Sequence, residues 1–205
     1  MPNKFNHKIK QNCQIILASS SRARKQILKD LGLEFQIISP DFDEEAAKPS
    51  IQNLSIAAQA MYLAKQKALS ISASNPNSLT IGSDQICELE GMAIDKSKDR
   101  DDAISQLKRL QGKTHIQNNA VCLYQGSKLL FKNSSKAKLT VRNLNDQEIE
   151  SYVDLDKSWG CAGSYKFESF GKHLFEKVQG ADNSIIGMNI LPLLNFLHQK
   201  KLISL

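Results

Sequence analysis

Short apolar runs alternate with stretches of helical periodicity along this chain, the pattern of an α/β fold. Ile15-Ile16-Leu17-Ala18 predicts a buried first strand. Ser19-Ser20-Ser21 follows, opening a predicted helix over 22–31 that Gly32 ends. A second strand is predicted over 34–39. Leu54, Ala57, Met61, Ala64 and Ala68 then recur at helical spacing, predicting a core-facing stripe on a helix over 54–71. Asn75-Pro76-Asn77 breaks that pattern before the apolar strand at Leu79-Thr80-Ile81. A hairpin over 88–91 returns through Met92-Ala93-Ile94 to Lys96. A helix opened near Asp99 and closed by Gly112 comes next. Strands over 116–124 and 129–141 join at Gln125-Gly126, and Asn145 caps a helix over 146–153. A strand over 174–178 and a closing helix over 191–199, with Pro192 in its first turn, complete the pattern.

One residue interrupts it. Asp84 follows Thr80-Ile81-Gly82-Ser83, where Gly82 lets another backbone pass closely. A carboxylate in such a run costs several kcal/mol unless it meets a cation, a metal or donors. Ligands in open α/β sheets bind at the carboxyl ends of strands. Asp84 therefore reads either as a catalytic residue at a strand end or as a turn aspartate. The serine loop has two readings as well. Free amides at a helix start, with Arg22, Arg24 and Lys25 beside them, make a phosphate cradle or an ordinary capped helix. Asp41, Asp43, Glu44 and Glu45 form either a solvated acidic loop or oxygen ligands for Mg²⁺ or Mn²⁺. Lys65 and Lys67 are the notable cations of the long helix, and the hairpin return carries Lys96 back toward Asp84. Glycine, hydroxyls, Tyr165, Phe167 and Glu168 in the segment 161–171 suit either a wall against a planar ligand or a surface loop. A carboxylate such as Glu168 matches the two parallel donors of guanine.

Composition narrows the classes. A chain of 205 residues with 41% hydrophobic content fits one domain, with two lobes around a cleft. No apolar run nears the ~18–20 residues of a membrane span. The basic N-terminus lacks the apolar core of a secretory signal, so residues 1–12 read as a flexible basic tail on a cytoplasmic protein. The four cysteines are scattered without a CxxC pair, and the four histidines lack ligand spacing. A net charge of +6 favours anionic partners, triphosphates included. Lys132, Lys136 and Lys138 fall on one strand face without interleaved aromatics, which points away from nucleic acid.

These segments together resemble the Maf nucleotide pyrophosphatases. The resemblance lies in Ile16-Leu17-Ala18-Ser19-Ser20-Ser21 with Arg24, in Gly82-Ser83-Asp84-Gln85 and in Leu110-Gln111-Gly112-Lys113-Thr114-His115. It continues through Leu174-Phe175-Glu176-Lys177-Val178-Gln179-Gly180 and Ile186-Gly187-Met188-Asn189-Ile190, in order over nearly the whole chain. It implies a mixed twisted sheet flanked by helices, a divalent cation, a homodimer, and cleavage of a nucleoside triphosphate between its α- and β-phosphates. By position it implies Asp84 as proton acceptor or metal ligand, and Ser19, Ser21, Arg24, Lys67 and Lys96 as phosphate ligands. Asp43 or Glu44 would stand near the metal. Ser83-Asp84-Gln85 and Tyr165-Lys166-Phe167-Glu168 resemble the branch acting on 7-methyl-GTP, making Gln85 and Glu168 candidates for base recognition. Ala23 stands where that branch often has tryptophan, so it offers no ring to stack on a methylated base. The alternative from another class is a nucleotide- or nucleic-acid-binding regulator of cell division.

Overall fold

A computed structural model describes residues 9–205. The chain order is β1 (Lys10–Gln11), β2 (Ile15–Ala18), α1 (Arg22–Asp30), β3 (Gln36–Ile38), α2 (Glu44–Ile51), α3 (Ile56–Ser72), β4 (Leu79–Leu89) and β5 (Met92–Ile94). There follow α4 (Arg100–Leu110), β6 (Thr114–Gln125), β7 (Lys128–Val141), α5 (Asp146–Asp156), a 3₁₀ turn (Phe170–Leu174), β8 (Phe175–Gln179), α6 (Asp182–Ile186), α7 (Leu191–Gln199) and β9 (Ile203–Ser204). The main sheet runs β3-β2-β4-β6-β7-β8, with β5 on β4. Its β3, β2 and β4 pairings are parallel and the remainder antiparallel, so the sheet is mixed and helix-flanked as expected.

The tail reading fails at its inner end. Lys10–Gln11 pairs antiparallel with Ile203–Ser204, and the Gln11 amide reaches the carbonyls of Cys13 and Glu34. Residues 1–8 of that tail lie outside the described residues.

β4 is the strand that organises the site. Its first residues, Leu79 and Ile81, belong to a core with Ile15, Leu17, Leu28, Leu193 and Leu197. Its last, Cys87 and Leu89, belong to a second core with Leu107, Leu139, Val153, Tyr165 and Phe167. β4 thus crosses from one of these cores to the other. On one edge β2 pairs with residues 79–81 and β5 with residues 87–89. Among the described residues, no strand pairs with 82–86 on that edge. Asp84 is thus not at a strand end, because β4 continues to Leu89; the neighbour ends instead, opening a gap in the sheet beside it.

α3 is turned relative to the predicted stripe. Its buried face is Ala60, Leu63, Ala64, Lys67, Ala68 and Ile71, and Leu54 precedes the helix and is exposed. Gly82 decides this phase. A Cβ there would meet the Ala64 carbonyl oxygen at 2.2 Å and the Ala68 Cβ at 2.8 Å. The alanine side of α3 therefore lies almost on the β4 backbone, and a methyl at Gly82 would push the helix away.

His115 is fully buried in the second core, its ring 5.5 Å from Tyr165 and 6.0 Å from Phe175. The Gln117 amide donates to the Tyr165 hydroxyl (2.7 Å), and the same hydroxyl shares a hydrogen bond with His115 Nε2 at 3.0 Å. Burial disfavours a charged ring and pushes the His115 pKa down to about 4. The unfolded chain takes up a proton near pH ~6.5 and the folded one not until about 4. The stability from His115 is therefore whole above ~6.5 and is lost as pH falls through that window, on the order of 3 kcal/mol in total. Denaturant titrations at about pH 7 and about pH 4 should show the wild type losing that much more stability than His115→Phe. Equal losses would remove His115 from the acid response.

Candidate active site

Local capping sets the first loop. The Ser21 side chain caps α1 by accepting from Arg24 N, and Ser19 Oγ accepts from Ser21 N at 3.1 Å. This turn brings Arg24 back over Ser19, with Nη1 3.4 Å from Ser19 Oγ. Ser19 is buried and Arg24 half-buried. Burial lowers the Arg24 pKa, and the nearby charges of Asp84 and Glu44 oppose that shift. Ala23, half-buried beside it in the first turn of α1, presents no ring.

On the other side of the gap stand three charged groups. Lys67 Nζ lies 2.6 Å from Asp84 Oδ1 and 2.9 Å from Glu44 Oε2. Asp84 and Lys67 are 5% and 6% exposed, so their pairing is desolvated, and Glu44 reaches in from a more open position. Among the described residues no group hydrogen-bonds the second Asp84 oxygen, Oδ2, and it is not sealed from solvent. Lys67, and neither Lys65 nor Lys96, is the cation that makes a buried Asp84 affordable. The acidic segment is a helix start, α2, in place of a loop. Asp43 caps it by accepting from Ala46 N at 3.0 Å, while Glu44 in the first turn points to Lys67. Pro49 and the short length of α2 hid it from the periodicity.

The structure does not bring every candidate to Asp84. β5 does run back along β4, yet Lys96, two residues past its end, is exposed and makes no ion pair or hydrogen bond among the described residues. The late segment is not an aromatic wall: Tyr165 and Phe167 are buried and pack on Phe175 in the second core. Their sequence spacing carried no sign of Phe175, the ring they meet. Glu168 is exposed and has no partner among the described residues. Gln85, next to Asp84, points to the opposite sheet face. There its amide donates to the Ile185 carbonyl at 2.8 Å, with the Ser184 carbonyl at 3.5 Å.

Three residues that sequence reasoning gave no role complete the site. The Gly187 carbonyl, between α6 and α7, receives Arg24 Nε at 3.0 Å, Asn119 Nδ2 at 2.7 Å and Ser83 Oγ at 3.1 Å. Asn119 is the neighbour of Gln85 across the β4–β6 ladder and is 2% exposed. The signal was present in Gln117-Asn118-Asn119, a polar stretch directly before the apolar run Ala120-Val121-Cys122-Leu123 of β6.

Two carboxylates facing a cationic gap match the oxygen donors that Mg²⁺ or Mn²⁺ takes when phosphates complete its shell. Among the described residues there is no cluster of three or more His, Cys, Asp or Glu side chains placed to hold a metal. Asp84 and Glu44 thus fit a cation shared with a ligand's phosphates and do not form a closed protein cage. No helix among the described residues is long and apolar enough to cross a membrane.

A family model described as Maf-like protein matches residues 14–200. A nucleoside triphosphate pyrophosphatase of Legionella pneumophila is 34% identical over 198 residues, 97% of this chain and 99% of its own length. One from Rhodopseudomonas palustris is 39% identical over 194 residues, 93% of this chain and 95% of its own. Among solved structures, the Ham1 protein of Staphylococcus aureus aligns over 65% of this chain and 72% of its own, with 16% identity and a TM-score of 0.41.

Proposed function

Because the chain belongs to the Maf family and is a nucleoside triphosphate pyrophosphatase, we propose that it cleaves 7-methyl-GTP between the α- and β-phosphates. The observation that carries the chemistry is the divided carboxylate of Asp84. One oxygen is fixed by Lys67, and the other has no hydrogen-bond partner among the described residues, on the stretch of β4 that no strand pairs on one edge. Asp84 Oδ2 accepts a proton from water as the water attacks the α-phosphorus, and pyrophosphate leaves. Arg24, with Nη2 free of protein partners among the described residues, holds the phosphates with Ser19 and the amides at the start of α1. Ser21 shapes that loop as its cap. Lys67 holds Asp84 in place and offsets charge on the attacked group, and Lys96, exposed and without an ion pair among the described residues, is left to meet the outer phosphates.

Asp84 and Glu44 would hold the divalent cation, with Asp43 kept as a cap. When bound, that ion neutralises phosphate charge and polarises the attacked group. The exposed Glu168 carboxylate is the acceptor available for guanine's donor edge, and its charge suits the cationic methylated ring. Gln85 acts on the base at one remove, through its grip on the α6 carbonyls. The family likeness also carries the expectations of a cytoplasmic homodimer.

The test is pyrophosphate release from a panel of 7-methyl-GTP, GTP, dTTP and UTP with Mg²⁺ or Mn²⁺. The expected result is kcat/KM for 7-methyl-GTP at least about tenfold above the others, since Glu168 meets two parallel donors that dTTP and UTP lack and a ring charge that GTP lacks. A preference for dTTP or UTP would overturn the base assignment. Tight binding with no turnover of any nucleotide would favour the regulator.

A further inference from the structure

We propose that Asn119 is a positioning residue that sets the Arg24 guanidinium against Asp84 by gripping the Gly187–Asn189 segment. The proposal rests on the phosphate-binding role given to Arg24 above. Asn119 uses both ends of its amide. Nδ2 donates to the Gly187 carbonyl at 2.7 Å and lies 3.4 Å from the backbone carbonyl of Asp84. Oδ1 accepts from Asn189 N at 2.9 Å. Two carbonyls on one end and an N–H on the other fix the amide's orientation without ambiguity. One buried side chain thus joins the main chain of the catalytic strand to the segment whose carbonyl anchors Arg24 Nε.

The segment needs that grip. Gly187 has φ +141°, a conformation that residues with a side chain rarely adopt, and a Cβ there would sit 3.4 Å from Gln85 Oε1 and 3.7 Å from Arg24 Nε. Its carbonyl is therefore the close floor on which Arg24 rests. Ser83 also approaches that carbonyl, at 3.1 Å, but its one proton is shared with the Ala120 carbonyl at 2.8 Å. Asn119 alone among the three donors holds the segment at two points, Gly187 O and Asn189 N. Without Asn119 the Gly187 carbonyl loses its shortest donor and Asn189 N its acceptor; the segment then hangs on the Asn183 carbonyl, and Arg24 shifts with it, away from the place where the triphosphate must lie relative to Asp84.

Two measurements test this. In side-chain NMR, the Arg24 Nε–H of the wild type should exchange slowly, and in Asn119→Leu it should exchange at least about tenfold faster while the melting curve stays cooperative. In kinetics, Asn119→Leu should raise KM for the best nucleotide about tenfold, with kcat changed far less. In an Arg24→Gln background the same substitution should add almost nothing to KM, since the two act as one unit. Asn119→Asp gives a second, near-isosteric variant. Burial raises its carboxyl pKa, and the protonated form again has a hydrogen to donate to Gly187 O. Its KM should approach the wild-type value at low pH and rise as pH rises through that pKa. Unchanged Arg24 exchange in both variants, or KM effects that multiply independently in the double variant, would overturn the proposal. If Arg24→Gln leaves KM unaltered while Asn119→Leu still speeds Arg24 exchange, the fault lies with the phosphate role of Arg24 and not with the link from Asn119.

Discussion

Asp84→Asn should lower pyrophosphate release by about 10²–10⁴-fold, the usual worth of a positioned base. Asparagine keeps the shape of the side chain, and its amide oxygen can still face Lys67, which retains Glu44 at 2.9 Å. The fold should therefore survive, with a cooperative melting transition and unchanged circular dichroism. What disappears is the acceptor: the carboxylate oxygen not bonded to Lys67 becomes an amide nitrogen or a weakly basic oxygen. Pyrophosphate release should be followed at saturating nucleotide with Mg²⁺ or Mn²⁺, so that a change in kcat is read apart from binding. Undiminished release by a folded Asp84→Asn protein would take Asp84 out of the chemistry.

Lys67→Met is expected to damage both stability and activity. Methionine fills the space of the lysine stem and carries no charge, so Asp84 and Glu44 lose their shared cation. Breaking a buried ion pair by removing one partner costs about 3–5 kcal/mol, because the remaining charge stays desolvated. Two like charges across the vacated position also disfavour ionisation and raise the carboxyl pKa values of the variant. Its stability should therefore recover as pH falls through those raised values, opposite in sign to the acid loss from His115. Mg²⁺ or Mn²⁺ should raise the melting temperature of the variant more than that of the wild type, since a divalent ion can take the place of the ammonium. Thermal melts with and without metal check this, and kcat should fall by about 10²-fold or more. A variant as stable as the wild type and indifferent to metal would show that Lys67 does not neutralise this pair.

Much of the fold was legible because the signals are local. Ile15–Ala18 is apolar at every position, Asn145 and Glu148 form the capping box that starts α5, and Asp99 caps α4. The elements that were missed are short or irregular: α6 has five residues, α2 contains a proline, and β1 and β9 have two residues each. Such elements carry too few residues for a period to emerge, and they exist because something distant packs or pairs with them. The long helix α3 was located well, yet its buried face was set by Gly82 on another element.

By itself the sequence determined that a carboxylate interrupts an apolar run, that a glycine two residues earlier invites close approach, and that a serine-capped basic helix follows the first strand. Those are properties of neighbouring residues, and local sterics, capping and desolvation settle them. Tertiary structure alone decided which partner each group meets. It selected Lys67 over Lys65 and Lys96, turned Glu44 inward and left Asp43 as a cap, drew Tyr165 and Phe167 into a core, and set Asn119 against Gly187. The Lys67–Asp84, Lys67–Glu44 and Asn119–Gly187 contacts join distant segments, and they depend on the register of β4 against β6 and on the distance at which α3 rides over Gly82. A one-residue change in either would send the same side chains to other faces, which the pattern along the chain cannot express.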